Sequence, residues 1–173
     1  MMNWLKNPAI RFFLIAFFLY LLWFLVYETW LHPLGTIDSM AIGLIISHGS
    51  FILSLLGYEL FDPNTFGEGM RTLGIVGSGG VWVGDPCNGI SLVALFAGFV
   101  MAFPGKLKNK LWFIPLGILS IHILNVLRVV ALCIIDLKWP HSLEFNHTYT
   151  FTILVYSWVF ALWYLWSNKL SKK

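Results

Sequence analysis

A thiol, a guanidinium and an imidazole can together exchange acyl groups, and this chain sets Cys87, Arg128 and His147 on three separate apolar segments. Cys87 stands where the polar turn Gly84-Asp85-Pro86 gives way to an apolar run that begins Asn88-Gly89-Ile90. A thiol at a helix start faces unpaired backbone N–H groups and the positive end of the helix dipole, which favour thiolate over thiol. Arg128 is embedded in a second apolar run, where a charge that is never shed calls for an anionic partner or an aqueous cavity. A thiolate, a peptide oxyanion or a substrate carboxylate would each serve. Asn125, three residues earlier, shares the helical face of Arg128 and can orient the guanidinium or donate to an oxyanion. His147 stands just before a third apolar run and can move a proton near neutral pH, as the leaving amine of acyl transfer requires.

Each residue also has a plainer reading. A lone cysteine fills small apolar gaps, an arginine can snorkel to headgroups, and a histidine beside Asn146 and Thr148 can cap a helix. What favours chemistry is the conjunction on three segments. Cys133, amid Ala131, Leu132, Ile134 and Ile135, has no polar companion and reads as filler. His48 with Ser47 and Ser50 reads as a polar seam, and His32, His122 and His141 offer no metal-ligand spacing. The two cysteines form no C-x-x-C, which argues against a disulfide framework, a zinc knuckle or a dithiol redox pair. The chemistry therefore calls for no metal and no organic cofactor.

The elements that must position these residues are membrane helices. The chain is 58% hydrophobic and 11% charged, less than half the ~25% charge of an ordinary soluble domain. Its 173 residues leave room for one membrane domain, 1–173, and nothing points to nucleic acid as a partner. A helix crossing about 30 Å of hydrocarbon needs about 20 apolar residues. Ala9–Thr29, Asn88–Phe103, Leu111–Leu137 and Thr148–Trp166 qualify, with Trp23, Tyr27, Trp30, Trp158, Trp163, Tyr164 and Trp166 as interfacial anchors. The first run is too long for a signal-peptide core and lacks a small-residue cleavage site, so it reads as a retained span.

Ser39–Leu56 is a fifth apolar stretch, interrupted by Ser47-His48-Gly49-Ser50. The basic clusters Lys6/Arg11, Lys106/Lys108/Lys110 and Lys169/Lys172/Lys173 alternate with segments holding all eight acids. Placing the three clusters in the cytoplasm gives four crossings, with Ser39–Leu56 as a re-entrant or interfacial element on the outer side. Five crossings with the N-terminus outside is the alternative. Either way residues 57–86 form an extracytoplasmic insert, in which Arg71–Val76 and Gly80–Val83 flank Gly77-Ser78-Gly79 as a small β-hairpin. The fold class is thus an all-α polytopic bundle with one outer hairpin. Cys87, Arg128 and His147 converge on its outer face.

Residues 87–156 carry the core motifs. Cys87-Asn88-Gly89-Ile90 resembles the C-S-G-[IL] motif of the exosortase/archaeosortase family, with Asn88 in place of the usual serine. Asn125-Val126-Leu127-Arg128 is similar to its N-x-x-R helix motif, and His147 takes the place of its third residue. The likeness covers about Gly57 to Tyr156 and resembles a short, core-only member. It implies a membrane cysteine peptidase or transpeptidase of a bacterial or archaeal inner membrane, with its site facing outward. Its partner would be a membrane-tethered protein bearing a C-terminal sorting tail: a short motif, one transmembrane helix and a basic end. Cys87 would be the nucleophile, Arg128 the stabiliser and His147 the acid/base, with Asn125, Asn88 and Gly89 in support. A non-enzymatic assembly scaffold and, less favoured, a thiol oxidoreductase using Cys87 and Cys133 are the rival readings.

Overall fold

A computed structural model describes residues 7–62 and 71–171. The chain is a polytopic helical membrane protein. Its elements run α1 (Pro8–Leu34), α2 (Thr36–Leu55), β1 (Thr72–Leu73), β2 (Val81–Trp82), α3 (Ile90–Ala102), α4 (Leu107–Lys138) and α5 (Pro140–Leu170). All of these helices but α3 are long and apolar enough to cross a membrane. Lys6, Glu68, Lys172 and Lys173, used above for orientation, lie outside the described residues.

Local chemistry sets the ends of the elements. Asn7 accepts the Ala9 N–H at 3.0 Å and Pro8 occupies the first turn of α1, where its missing donor costs nothing. Gly35, at φ 65°, lets α1 stop and α2 start within one residue. At α3 the Lys110 ammonium donates to the Met101 and Phe103 carbonyls at 2.7 and 2.8 Å, satisfying acceptors that the helix end leaves open. Four segments meet there. Phe12 of α1 packs edge-on against Phe99 and Phe103, and Asn109 of α4 donates to the Leu170 carbonyl of α5 at 2.9 Å. Arg11, Lys106, Lys108, Lys110 and Lys169 thus gather at one end of the bundle, called here the basic end. Phe96, Val100, Phe113, Val159, Leu162 and Trp166 form the core above it. Gly117 faces Phe96 so closely that any side chain would overlap the ring, so α3 and α4 approach through a small residue.

The second core lies at the opposite end and unites α2, the hairpin and the last turns of α4 through Ile45, Leu53, Leu73, Val83, Val130 and Cys133. The hairpin pairs Thr72 with Trp82 and Leu73 with Val81, fewer residues than the sequence pattern suggests, because Ile75 leaves to bridge Leu60. Gly77 and Gly80 take positive φ at the turn, and the Asp136 carboxylate of α4 accepts the Gly80 N–H at 2.8 Å.

Two sequence expectations are corrected at α2 and α5. The Ser47-His48-Gly49-Ser50 stretch does not interrupt α2, which is one continuous helix. Gly49 sits where a Cβ would come within 2.8 Å of the Leu73 side chain, so its role is close packing. Although α2 has the length of a span, both its ends are tied to the hairpin end. Ser39 accepts from Arg71 at its start, and just past its end Leu60 pairs with Ile75. The final helix begins at Pro140, not at Thr148, because Pro140 starts a helical turn that the apolar count overlooks. His147 therefore lies inside α5, within a π-helical stretch, Asn146–Thr150.

Candidate active site

Cys87 closes a short 3₁₀ turn, Asp85–Cys87, that precedes α3. It is not on the helix itself, because Gly89, at φ 79°, is the N-cap and α3 starts at Ile90. The turn is held from several sides. Arg71 forms an ion pair with Asp85, linking the hairpin to it. Asn125 donates its amide to the Cys87 carbonyl at 2.7 Å. Asn88 folds back so that its side-chain oxygen accepts the Ile90 N–H at 2.8 Å. A side chain at position 89 would demand positive φ and would come within 3.2 Å of the Asn125 amide, so glycine fits there.

The Cys87 sulfur points away from these anchors, toward α4 and α5. His147 Nε2 lies 3.5 Å from it and a terminal nitrogen of Arg128 lies 3.9 Å from it. The thiol can donate to a neutral imidazole, or the thiolate can accept from an imidazolium. Arg128 Nε is buried with no hydrogen-bond partner among the described residues. A permanently charged donor set with unused capacity beside a sulfur is suited to an anion that forms during a reaction. The π-helical turn around His147 widens α5 locally, as such turns do at functional sites, and Thr152 caps the His147 carbonyl at 3.3 Å. The three side chains line one cleft of about 330 Å³, closed by Pro86, Ser91, Leu92, Thr148, Val155 and Tyr156.

A transmembrane exosortase model matches residues 4–166. The chain belongs to the transmembrane exosortase family. No curated protein and no solved structure matches it. The exosortase match begins well before the motifs, whereas the motif-level likeness starts near Gly57. The fold supplies a reason, since α1 and α2 reach the Cys87 turn. Asp38 in the first turn of α2 is 1% exposed and accepts from Tyr27 of α1 at 2.7 Å and from Asn88 at 2.5 Å.

The exosortase fold thus brings Cys87, Arg128 and His147 together and gives the supporting residues distinct places. Asn125 is spent on the Cys87 backbone carbonyl, so it anchors the turn rather than orienting the guanidinium. Its own side-chain oxygen is buried without a partner among the described residues. The Asn88 amide nitrogen is held by Asp38. Cys133 is fully buried under the hairpin, its sulfur against the Leu73 carbonyl at 3.4 Å. His48 meets His122 across α2 and α4 at 3.0 Å, a pairing of two histidines that the sequence pattern had not joined. No group of three or more His, Cys, Asp or Glu suited to a metal occurs among the described residues. Tyr27 and Asp38 were missed as site residues. The one signal was an acid so close to an apolar run, which needs a partner when buried.

Proposed function

We propose that this exosortase-family protein is a cysteine transpeptidase or peptidase that cleaves the C-terminal sorting tail of membrane-tethered proteins at the outer face of the inner membrane. The observation that carries the reading is the Cys87 sulfur lying within 3.5 Å of His147 Nε2 and 3.9 Å of an Arg128 nitrogen. The Cys87 thiol passes its proton to His147, and the thiolate attacks the scissile carbonyl. Arg128 stabilises the oxyanion of the tetrahedral intermediate. His147 then protonates the leaving amine as the C–N bond breaks and a thioester forms. An acceptor amine, hydroxyl or water gives its proton to His147, attacks the thioester and returns the thiol.

The surroundings suit a tethered substrate. The Cys87 cleft shares Ser91, Leu92 and Tyr156 with a groove of about 420 Å³ between α1 and α5, walled by Tyr20, Phe24 and Leu95. A chain bound at Cys87 would descend directly into that groove, where an apolar helix finds aromatic and aliphatic walls. The oxidoreductase reading lacks support, since Cys133 is enclosed in a core remote from solvent. A reconstituted preparation supplied with a tail-bearing substrate should release the tail, seen as a mass change. Unchanged substrate across a panel of tail motifs would sink the reading.

The charge distribution supports one side of the membrane for the site. With the basic end cytoplasmic, α1, α4 and α5 cross, and α3 completes a fourth crossing by running from the Cys87 turn to the basic end, although it is shorter than a full span. With both its ends at the hairpin, α2 remains on the outer side. Lys108→Cys, placed in a chain lacking Cys87 and Cys133, should resist a membrane-impermeant maleimide in intact spheroplasts. Cys87 in a Cys133→Ala chain should react. Labelling at position 108 would move the site to the cytoplasm.

A further inference from the structure

We propose that Asp38 is a positioning residue for the Cys87 turn, acting through the side chain of Asn88; the inference rests on the reading of Cys87 as nucleophile. Asp38 is buried, and its carboxylate gathers donors from two other parts of the chain. Tyr27 Oη donates at 2.7 Å, Asn88 Nδ2 donates at 2.5 Å, and His32 Nδ1 lies at 3.3 Å. Buried charges persist where such hydrogen bonds satisfy them, so the cluster is a fixed point of the fold. Asn88 links it to the site. Its nitrogen is held by Asp38 while its oxygen holds the Ile90 N–H, so one rigid amide spans from α2 to the first turn of α3.

Cys87 is the residue immediately before Asn88, and its own carbonyl is held by Asn125. The turn is therefore clamped by two amides, one from α4 on the Cys87 backbone and one anchored on Asp38. With the backbone fixed at both points, Cys87 is held at the wall of the cleft it shares with Arg128 and His147. Releasing the Asp38 clamp leaves all three reactive groups present but lets the sulfur wander from the attacking position. Tyr27 bonds the same carboxylate and lies beside Asn88, so it is part of the cluster that holds the clamp.

The test measures three quantities on full-length protein in detergent or liposomes: tail release (kcat and KM), Cys87 alkylation by iodoacetamide in a Cys133→Ala background, and the thermal unfolding midpoint. Asp38→Ala and Asn88→Ala are each expected to lower kcat by about tenfold or more, since a 1 Å misplacement of a reacting group can cost about 10²-fold. The loss should fall more on kcat than on KM, because neither Asp38 nor Asn88 lines the groove proposed for the tail. Alkylation of Cys87 should slow in both. The double variant should be no worse than the poorer single one, because both break one connection. Asp38→Asn keeps an oxygen for Asn88 and should retain more kcat than Asp38→Ala. It also serves as the folded alternative where alanine is not tolerated. Val100→Ala, in the core near the basic end, should lower the unfolding midpoint yet leave kcat per folded molecule within about twofold. Wild-type kcat and alkylation in Asn88→Ala and Asp38→Ala, alongside a dead Cys87→Ala, would overturn the positioning role alone. An equal loss of kcat in Val100→Ala would reduce Asp38 to general structural support. Tail release by Cys87→Ala would instead remove the nucleophile reading itself.

Discussion

Cys87→Ala is expected to abolish tail processing, while Cys133→Ala leaves it within about twofold of the parent chain. Only Cys87 opens into a cleft with an imidazole and a guanidinium beside its sulfur. Cys133 is wholly buried, with its sulfur against the Leu73 carbonyl, so its loss acts on packing and not on chemistry. Removing one small buried side chain costs on the order of 1–2 kcal/mol, which reduces the folded amount but not turnover per folded molecule. Processing is followed by gel shift of a tail-bearing substrate, normalised to folded protein. Full activity in Cys87→Ala would show that the sulfur takes no part.

Arg128→Lys should be nearly as damaging as Arg128→Ala, each lowering kcat by about 10²–10³-fold, the usual cost of one oxyanion donor. The guanidinium sits 3.9 Å from the sulfur and keeps an unpartnered Nε. Its planar donors can hold two sites of an anion at once, while an ammonium is a point charge on a flexible stem. Lysine also sheds its proton readily in an apolar site, which arginine does not. The measurement is tail release under saturating substrate for both variants. Wild-type turnover with lysine would mean that position 128 supplies charge alone.

Much of this architecture was legible because the membrane constrains it. The basic clusters at residues 106–110 and 169 do meet at one end, and Cys87, Arg128 and His147 do meet at the other. An arginine within an apolar helix is costly enough to mark a candidate site without any structure. What escaped was whatever depends on tertiary contact. Tyr27 reads as an interfacial aromatic at the end of a span, yet it is buried and bonded to Asp38. Gly49 reads as a breaker, yet the helix runs through it because the Leu73 side chain needs the space. Asn125 shares a face with Arg128, as periodicity demands, but which backbone group it would hold depends on a turn 38 residues away. The π-helical register around His147 has no signature in hydrophobic spacing at all.

The serine-to-asparagine departure at position 88 has a physical account in the fold. An asparagine carries both an acceptor for the start of α3 and a donor long enough for Asp38, two functions that one short hydroxyl cannot span. The departure therefore reaches outside the motif, into α1 and α2.

The central claim is that Cys87 carries the acyl group between donor and acceptor. It is tested most directly by mixing the reconstituted protein with a tail-bearing substrate, quenching in acid within one turnover and mapping the digest by mass. The peptide containing Cys87 should gain the mass of the substrate's acyl portion, hydroxylamine should remove it, and His147→Ala should leave no such species because the amine cannot depart. Tail release at the full rate with no added mass on Cys87, or acylation of a different residue, would contradict it.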